Sequence, residues 1–179
     1  FIIVWPDSMS VETWNEGSSA ANLARPVDIF SWSFLDFGST AISITGFGND
    51  IVSIKRIKGA YQKFGKRFEE RIYTSDERKL VWKRGTPCFR TLSSRWAAKE
   101  AFVKALGIGF SKGVFWRDIS IINNSNGKPY LAISGYAKKY LQSILPLNTS
   151  SYLHVSISDE EDFVNALVII EAREVIHIN

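Results

Sequence analysis

The chain has 179 residues, enough for one domain that hides roughly two-thirds of its unfolded surface. Its single cysteine, Cys88, excludes an intramolecular disulfide and has no companions at metal-ligand spacing, while no run approaches the ~20 apolar residues that a membrane helix needs. The 22 Lys and Arg against 18 Asp and Glu give a net charge of +4, which favours an anionic partner without naming it, and the expectation is a soluble protein of a reducing cytoplasm.

Residues 1–40 mix Ser, Asn, Gly and Pro with isolated aromatics and begin without Met. The opening Phe1-Ile2-Ile3-Val4-Trp5 is too short for a signal-peptide core and stops at Pro6, so this segment is set apart as an extension of unknown status. A domain is expected over 41–179. Ile42, Ile44 and Phe47 read as a short strand ending at Gly48, and residues 54–64 carry helical spacing, which puts Asp50 at a strand-to-helix junction. A second helical stretch covers 66–73. Thr74-Ser75-Asp76-Glu77 then offers N-cap chemistry for a third towards Trp82, broken by Gly85-Thr86-Pro87. The strongest helix runs from Ser93 or Ser94 to Leu106 and stops at Gly107. Beyond it the period changes: 118–123 and 129–134 read as strands around the turn Asn124-Ser125-Asn126-Gly127. A helix over 136–145 precedes strands at 152–158 and 165–172, joined by the acidic turn Asp159-Glu160-Glu161-Asp162. This order predicts an α+β domain, not a doubly wound sheet.

Two acids lie in apolar surroundings: Asp50 in Gly48-Asn49-Asp50-Ile51-Val52, and Glu100 in Arg95-Trp96-Ala97-Ala98-Lys99-Glu100-Ala101-Phe102. Carboxylates removed from water need a cation, a metal or several donors, and two in one small domain suggest a shared positive partner, for which a divalent metal is the choice. At roughly 100° per residue, Glu100 and Lys104 share one side of their helix and Arg95 and Lys99 another, with apolar residues over most of the remaining arc. Taken alone, these are also the marks of two i,i+4 helix pairs, and Asp50 those of a helix cap.

The joint pattern resembles the holo-acyl-carrier-protein synthases, the short bacterial 4'-phosphopantetheinyl transferases. The matching segments are Gly48 to Val52; Arg95 to Phe102, with Trp96 in place of Phe; Lys104 and Gly107; Lys66-Arg67-Phe68-Glu69-Glu70-Arg71-Ile72; Asn126-Gly127-Lys128-Pro129-Tyr130; and His154-Val155-Ser156-Ile157-Ser158 before an apolar last strand. The resemblance implies the family's fold, with helices packed on a mainly antiparallel sheet. It implies transfer of the phosphopantetheine arm of coenzyme A to a serine of acyl carrier protein, with release of adenosine 3',5'-bisphosphate, in support of fatty acid biosynthesis. It further implies Mg²⁺ held by Asp50 and Glu100, with Glu100 as base for the carrier serine and Lys104 at the pyrophosphate. Arg95, Lys99, Lys104 and Gly107 would bind coenzyme A, and Arg56, Arg67 and Arg71 would grip the acidic carrier. A homotrimer with active sites between subunits is implied as well.

Two positions depart from the family pattern. Asp159 stands where the family commonly has His, so either it turns outward or the nucleotide is held differently. Around 84–90, Pro87 and Cys88 replace a basic cluster and leave Lys83, Arg84 or Arg90 as substitutes. His154, within a strand pattern, reads as a packed core histidine, and His177 near the terminus carries nothing by itself. Two rivals stand beside the enzyme reading: a basic nucleic-acid-binding module using Trp and Tyr as stacking platforms, and a carrier-binding protein without activity. The aromatics look distributed through hydrophobic patterns and so speak against the first, and the retained Asp50, Glu100 and Lys104 against the second.

Overall fold

The computed structural model describes residues 42–82, 85–110 and 113–175; the extension at 1–40, Lys83, Arg84 and His177 lie outside them. The elements in chain order are strand β1 (Ile42–Ser53), helices α1 (Ile54–Phe64), α2 (Lys66–Ile72), α3 (Ser75–Val81) and α4 (Phe89–Ala105), a 3-10 turn (Trp116–Asp118), strands β2 (Ile119–Asn123) and β3 (Pro129–Ile133), helix α5 (Gly135–Ile144), and strands β4 (Thr149–Asp159) and β5 (Phe163–Glu174). Strands β1, β5 and β4 form an antiparallel sheet with β5 in the middle, and β2 and β3 form a separate antiparallel hairpin. The α+β architecture is therefore the observed one.

Alternation along the strands sorts the three-stranded sheet into two faces. Val52, Val164, Ala166, Val168, Ile170 and Ala172 are buried on the inner face, against which α4 packs. α4 answers with Ala97, Ala98, Ala101, Phe102 and Ala105, all buried. Small residues on both sides bring helix and sheet close, and two glycines of β1 complete the fit. A methyl group on Gly48 would sit 2.5 Å from the Ala105 nitrogen and run into the Ala101 carbonyl oxygen; one on Gly46 would run into that of Ala105.

These glycines correct the expectation that the first strand ends at Gly48. β1 continues to Ser53, with one register irregularity between Ile44 and Gly46, because glycine here serves close approach to α4 and breaks nothing. Asp50, opposite Ala166, lies within the strand on its helix-facing side and caps no helix.

α4 also starts earlier than expected, at Phe89. Ser94 lies inside the helix, its hydroxyl donating to the Arg90 carbonyl at 2.8 Å, so the serines do not cap it. Thr74, by contrast, does cap α3: its side chain accepts from the Glu77 amide while Glu77 Oε2 accepts from the Thr74 amide at 2.8 Å. Gly107 ends α4 at φ 70°.

Candidate active site

β1 and α4 bring the two acids of the sequence pattern to one place. Lys104 Nζ donates to Asp50 Oδ1 at 2.8 Å and to the Asn49 carbonyl at 3.0 Å, so the expected Glu100–Lys104 helix pair gives way to a bond between elements. The Asp50 side chain is 15% exposed and that of Lys104 52% exposed, so the ammonium reaches solvent above a recessed carboxylate. Glu100 is half-buried beside them, and its carboxyl is held above the ordinary glutamate value, first by burial and then by the Asp50 charge. Lys104 and Arg56 work in the opposite direction. The Arg56 guanidinium lies 5.8 Å from the centre of the Trp96 ring, one end of a run of aromatics in which Trp96 meets Phe68 and Trp116, and Trp116 stacks on Phe110. Two half-buried acids with mutually unfavourable charges form a place where a dication would be welcome. Among the described residues no cluster of three or more His, Cys, Asp or Glu side chains competes as a metal site. Asp50 and Glu100 fit Mg²⁺, which usually takes one or two carboxylates and draws its other ligands from phosphate oxygens and water.

The remaining candidates separate. Arg95 is 6% exposed, donates to Asn123, and keeps a buried Nε with no hydrogen-bond partner. It lines a cavity of about 580 Å³ with Leu80, Val81, Thr86, Thr91 and Asn123. Burial lowers the pKa of its guanidinium, so an anion in that cavity would relieve a strained charge. Arg56, Arg67 and Arg71 are exposed, and Arg71 borders an open cavity of about 620 Å³ with Phe110, Phe115, Trp116 and Arg117. Gly107 meets nothing where a Cβ would stand, so its place is set by its positive φ.

Lys99 requires a correction. It is fully buried, and its Nζ donates to the Ile72 carbonyl at 2.7 Å, to Glu77 Oε2 at 2.7 Å and to the Trp116 carbonyl at 3.1 Å. An ammonium has three N–H groups and all three are engaged, so in this arrangement Lys99 offers a phosphate nothing. The sequence showed Lys99 one turn from Arg95; it could not show that this side of α4 faces α3 and the 3-10 turn.

His154 is corrected too. It lies on the outer face of β4, its side chain 50% exposed, with Nε2 2.6 Å from Glu171 Oε2. Asp159 pairs with Arg90 at the start of α4, which also donates to the Glu160 carbonyl at 3.3 Å. Sequence reasoning missed Asn123 and the Asn49 carbonyl, both defined by the long-range approach of other elements to α4.

The chain matches the family described as the 4'-phosphopantetheinyl transferase superfamily over residues 46–164. A holo-[acyl-carrier-protein] synthase of Sphingopyxis alaskensis is 40% identical over 129 residues, 72% of this chain and 97% of that protein. Among solved structures, holo-[acyl-carrier-protein] synthase from Neisseria meningitidis is 40% identical with a TM-score of 0.63, covering 72% of this chain and 98% of its own. The Bacillus anthracis holo-(acyl-carrier-protein) synthase in complex with CoA (3',5'-ADP) is 34% identical with a TM-score of 0.57, covering 73% and 98%. The chain belongs to the 4'-phosphopantetheinyl transferase superfamily and, within it, to the holo-[acyl-carrier-protein] synthases.

Proposed function

We propose that this protein transfers the 4'-phosphopantetheine arm of coenzyme A to a serine of apo-acyl carrier protein, releasing adenosine 3',5'-bisphosphate and thereby serving fatty acid biosynthesis. The observation that carries the reading is the meeting of Asp50, Glu100 and Lys104 across β1 and α4. Coenzyme A as donor is supported by the relative from Bacillus anthracis solved with CoA (3',5'-ADP).

Asp50 and Glu100 would hold Mg²⁺, which when bound polarises the pyrophosphate and offsets charge developing on the bridging oxygen. Glu100, with its raised affinity for a proton, is suited to accept the hydrogen of the carrier serine as the hydroxyl attacks phosphorus. Lys104 projects its ammonium towards solvent from the same spot and would meet the leaving phosphate, exchanging its bond to Asp50 for one to a phosphate oxygen. Arg95, which lines its own cavity, would take another phosphate of the donor, and Gly107, which ends α4 close to Lys104, would bind coenzyme A beside it. Lys99 is left out of the binding set.

Carrier docking is assigned to the exposed Arg56, Arg67 and Arg71. Arg56 adjoins Glu100, and Arg71 opens on an aromatic-lined cavity that could receive an apolar side chain from an acidic helix. A homotrimer is supported by the outer face of the sheet, where Ile42, Ile44, Phe47 and Ile51 are between 62% and 70% exposed with no element of the described chain over them. No described helix is long and apolar enough to cross a membrane, and a cytoplasmic site of action accords with the single cysteine. The test is conversion of apo-acyl carrier protein by the purified chain with coenzyme A and Mg²⁺, followed by mass spectrometry of the carrier serine, with chelator as the control.

A further inference from the structure

Lys99 and Glu77 form an ion pair in which both side chains are 0% exposed, a rare arrangement unless every lone pair and proton is used. Here each is. Besides Lys99, Glu77 Oε2 accepts from the Thr74 amide at 2.8 Å and the Thr74 hydroxyl at 3.2 Å, and Glu77 Oε1 accepts from the Ile121 amide at 2.9 Å. With the bonds from Lys99 to the Ile72 and Trp116 carbonyls, one buried pair joins the end of α2, the cap of α3, the 3-10 turn and β2 to a single point on α4. The next residue along α4 is Glu100, turned by roughly 100° towards β1. On that side α4 packs on Gly46 and Gly48, which set how near β1 comes. The helix is also held by apolar contacts, Phe102 and Leu92 in the core and Trp96 against Phe68 and Trp116, and the Lys99–Glu77 pair adds to them a directional polar restraint.

We propose that the Lys99–Glu77 pair is a positioning device for Glu100: it fixes the rotation and height of α4 so that the Glu100 carboxyl stands beside Asp50 and Lys104. Lys99 then acts on the reaction through geometry and not by touching the donor's phosphates. The Trp116 carbonyl on Lys99 extends the same restraint to the aromatic run, because the Trp116 ring packs on Trp96, over which Arg56 lies. The inference rests on the reading of Glu100 as a working acid of the transfer reaction.

The pair can be separated from a phosphate-binding role because the two predict opposite changes. Steady-state turnover on apo-acyl carrier protein and calorimetric affinity for coenzyme A would be measured for Lys99→Met, Glu77→Gln, the double variant and Glu100→Gln, each checked for folding by circular dichroism. Positioning predicts that Lys99→Met and Glu77→Gln each lower kcat by about tenfold or more, while the Kd for coenzyme A stays within about threefold of the parent. The double variant should be about as slow as the slower single, since both break one device. A tenfold weaker Kd in Lys99→Met with Glu77→Gln unchanged would show that Lys99 meets phosphate and would overturn the proposal. Should Lys99→Met fail to fold, Glu77→Gln decides, since it keeps the shape while removing the charge and turning one accepting oxygen into an NH2 that faces donors: parental kcat in that variant overturns positioning. If Glu100→Gln is inactive while Lys99→Met and Glu77→Gln turn over normally, the reaction stands and positioning falls; if Glu100→Gln is fully active, the reading of the reaction itself fails.

Discussion

Glu100 has two properties that pull against each other. Burial and the Asp50 charge raise its carboxyl pKa in the folded chain, so the folded state binds that proton more tightly than the unfolded state does. The stability this confers is complete below the unfolded value and is lost as the pH rises through the folded value. At neutral pH the charged acid is therefore a burden on the fold, as expected of a group retained for the proposed reaction. Glu100→Gln should lower turnover at least about a hundredfold and yet melt at a higher temperature than the parent at pH 7, and the difference should shrink as the pH falls below the ordinary glutamate value. Calorimetry across pH 3 to about 8 reads that sign directly. Asp50→Asn should raise the Mg²⁺ concentration needed for half-maximal turnover by roughly tenfold or more, because a proposed ligand is lost, while calorimetric affinity for coenzyme A without metal changes little. At this scale the sequence was legible where chemistry demands a residue type in unfavourable company, as with Asp50 and Glu100. It was silent on partners from distant segments: nothing near Lys99 announces Glu77, and nothing near Asp159 announces Arg90.

The elements most in command of the site are β1 and α4. Their separation is set by glycine, so the smallest possible enlargement should disturb the site without touching a polar group. Gly48→Ala places a methyl group on the Ala101 carbonyl and should cost roughly 3 kcal/mol by urea titration, with loss of activity as Asp50 moves away from Glu100. A stability equal to the parent's would mean that α4 can yield, and would weaken the account of how the acids are brought together. Thr74→Ala, which removes half of the capping box at α3, should cost about 1 kcal/mol. Helix ends at Gly107, the Thr74 cap and the Asn124–Gly127 turn were all readable because each is local chemistry. The full length of β1 was not, since a glycine that admits a helix and a glycine that ends a strand look alike until the helix is present.

For the molecule as a whole, periodicity gave the α+β class and told which residues share a face of the sheet. It could not tell what covers that face. Register places Ile42, Ile44, Phe47 and Ile51 beside Ile169 and Leu167 on a surface that no described element shields, together with the cluster of His154, Glu171, Arg173 and Tyr152. A second and third copy are the occupants expected there. Light scattering should report a trimer, and Phe47→Glu should yield a smaller species with depressed activity; a fully active monomeric parent would contradict this.

All of these expectations depend on two acids from β1 and α4 cooperating with a divalent cation in group transfer. The most direct measurement is the mass of apo-acyl carrier protein after incubation with coenzyme A, Mg²⁺ and either the parent chain or Glu100→Gln. The account predicts a gain of one phosphopantetheine on the carrier serine with the parent, and none with chelator or with Glu100→Gln. An unmodified carrier in the presence of the folded parent chain and Mg²⁺, or complete modification by Glu100→Gln with chelator present, would contradict it.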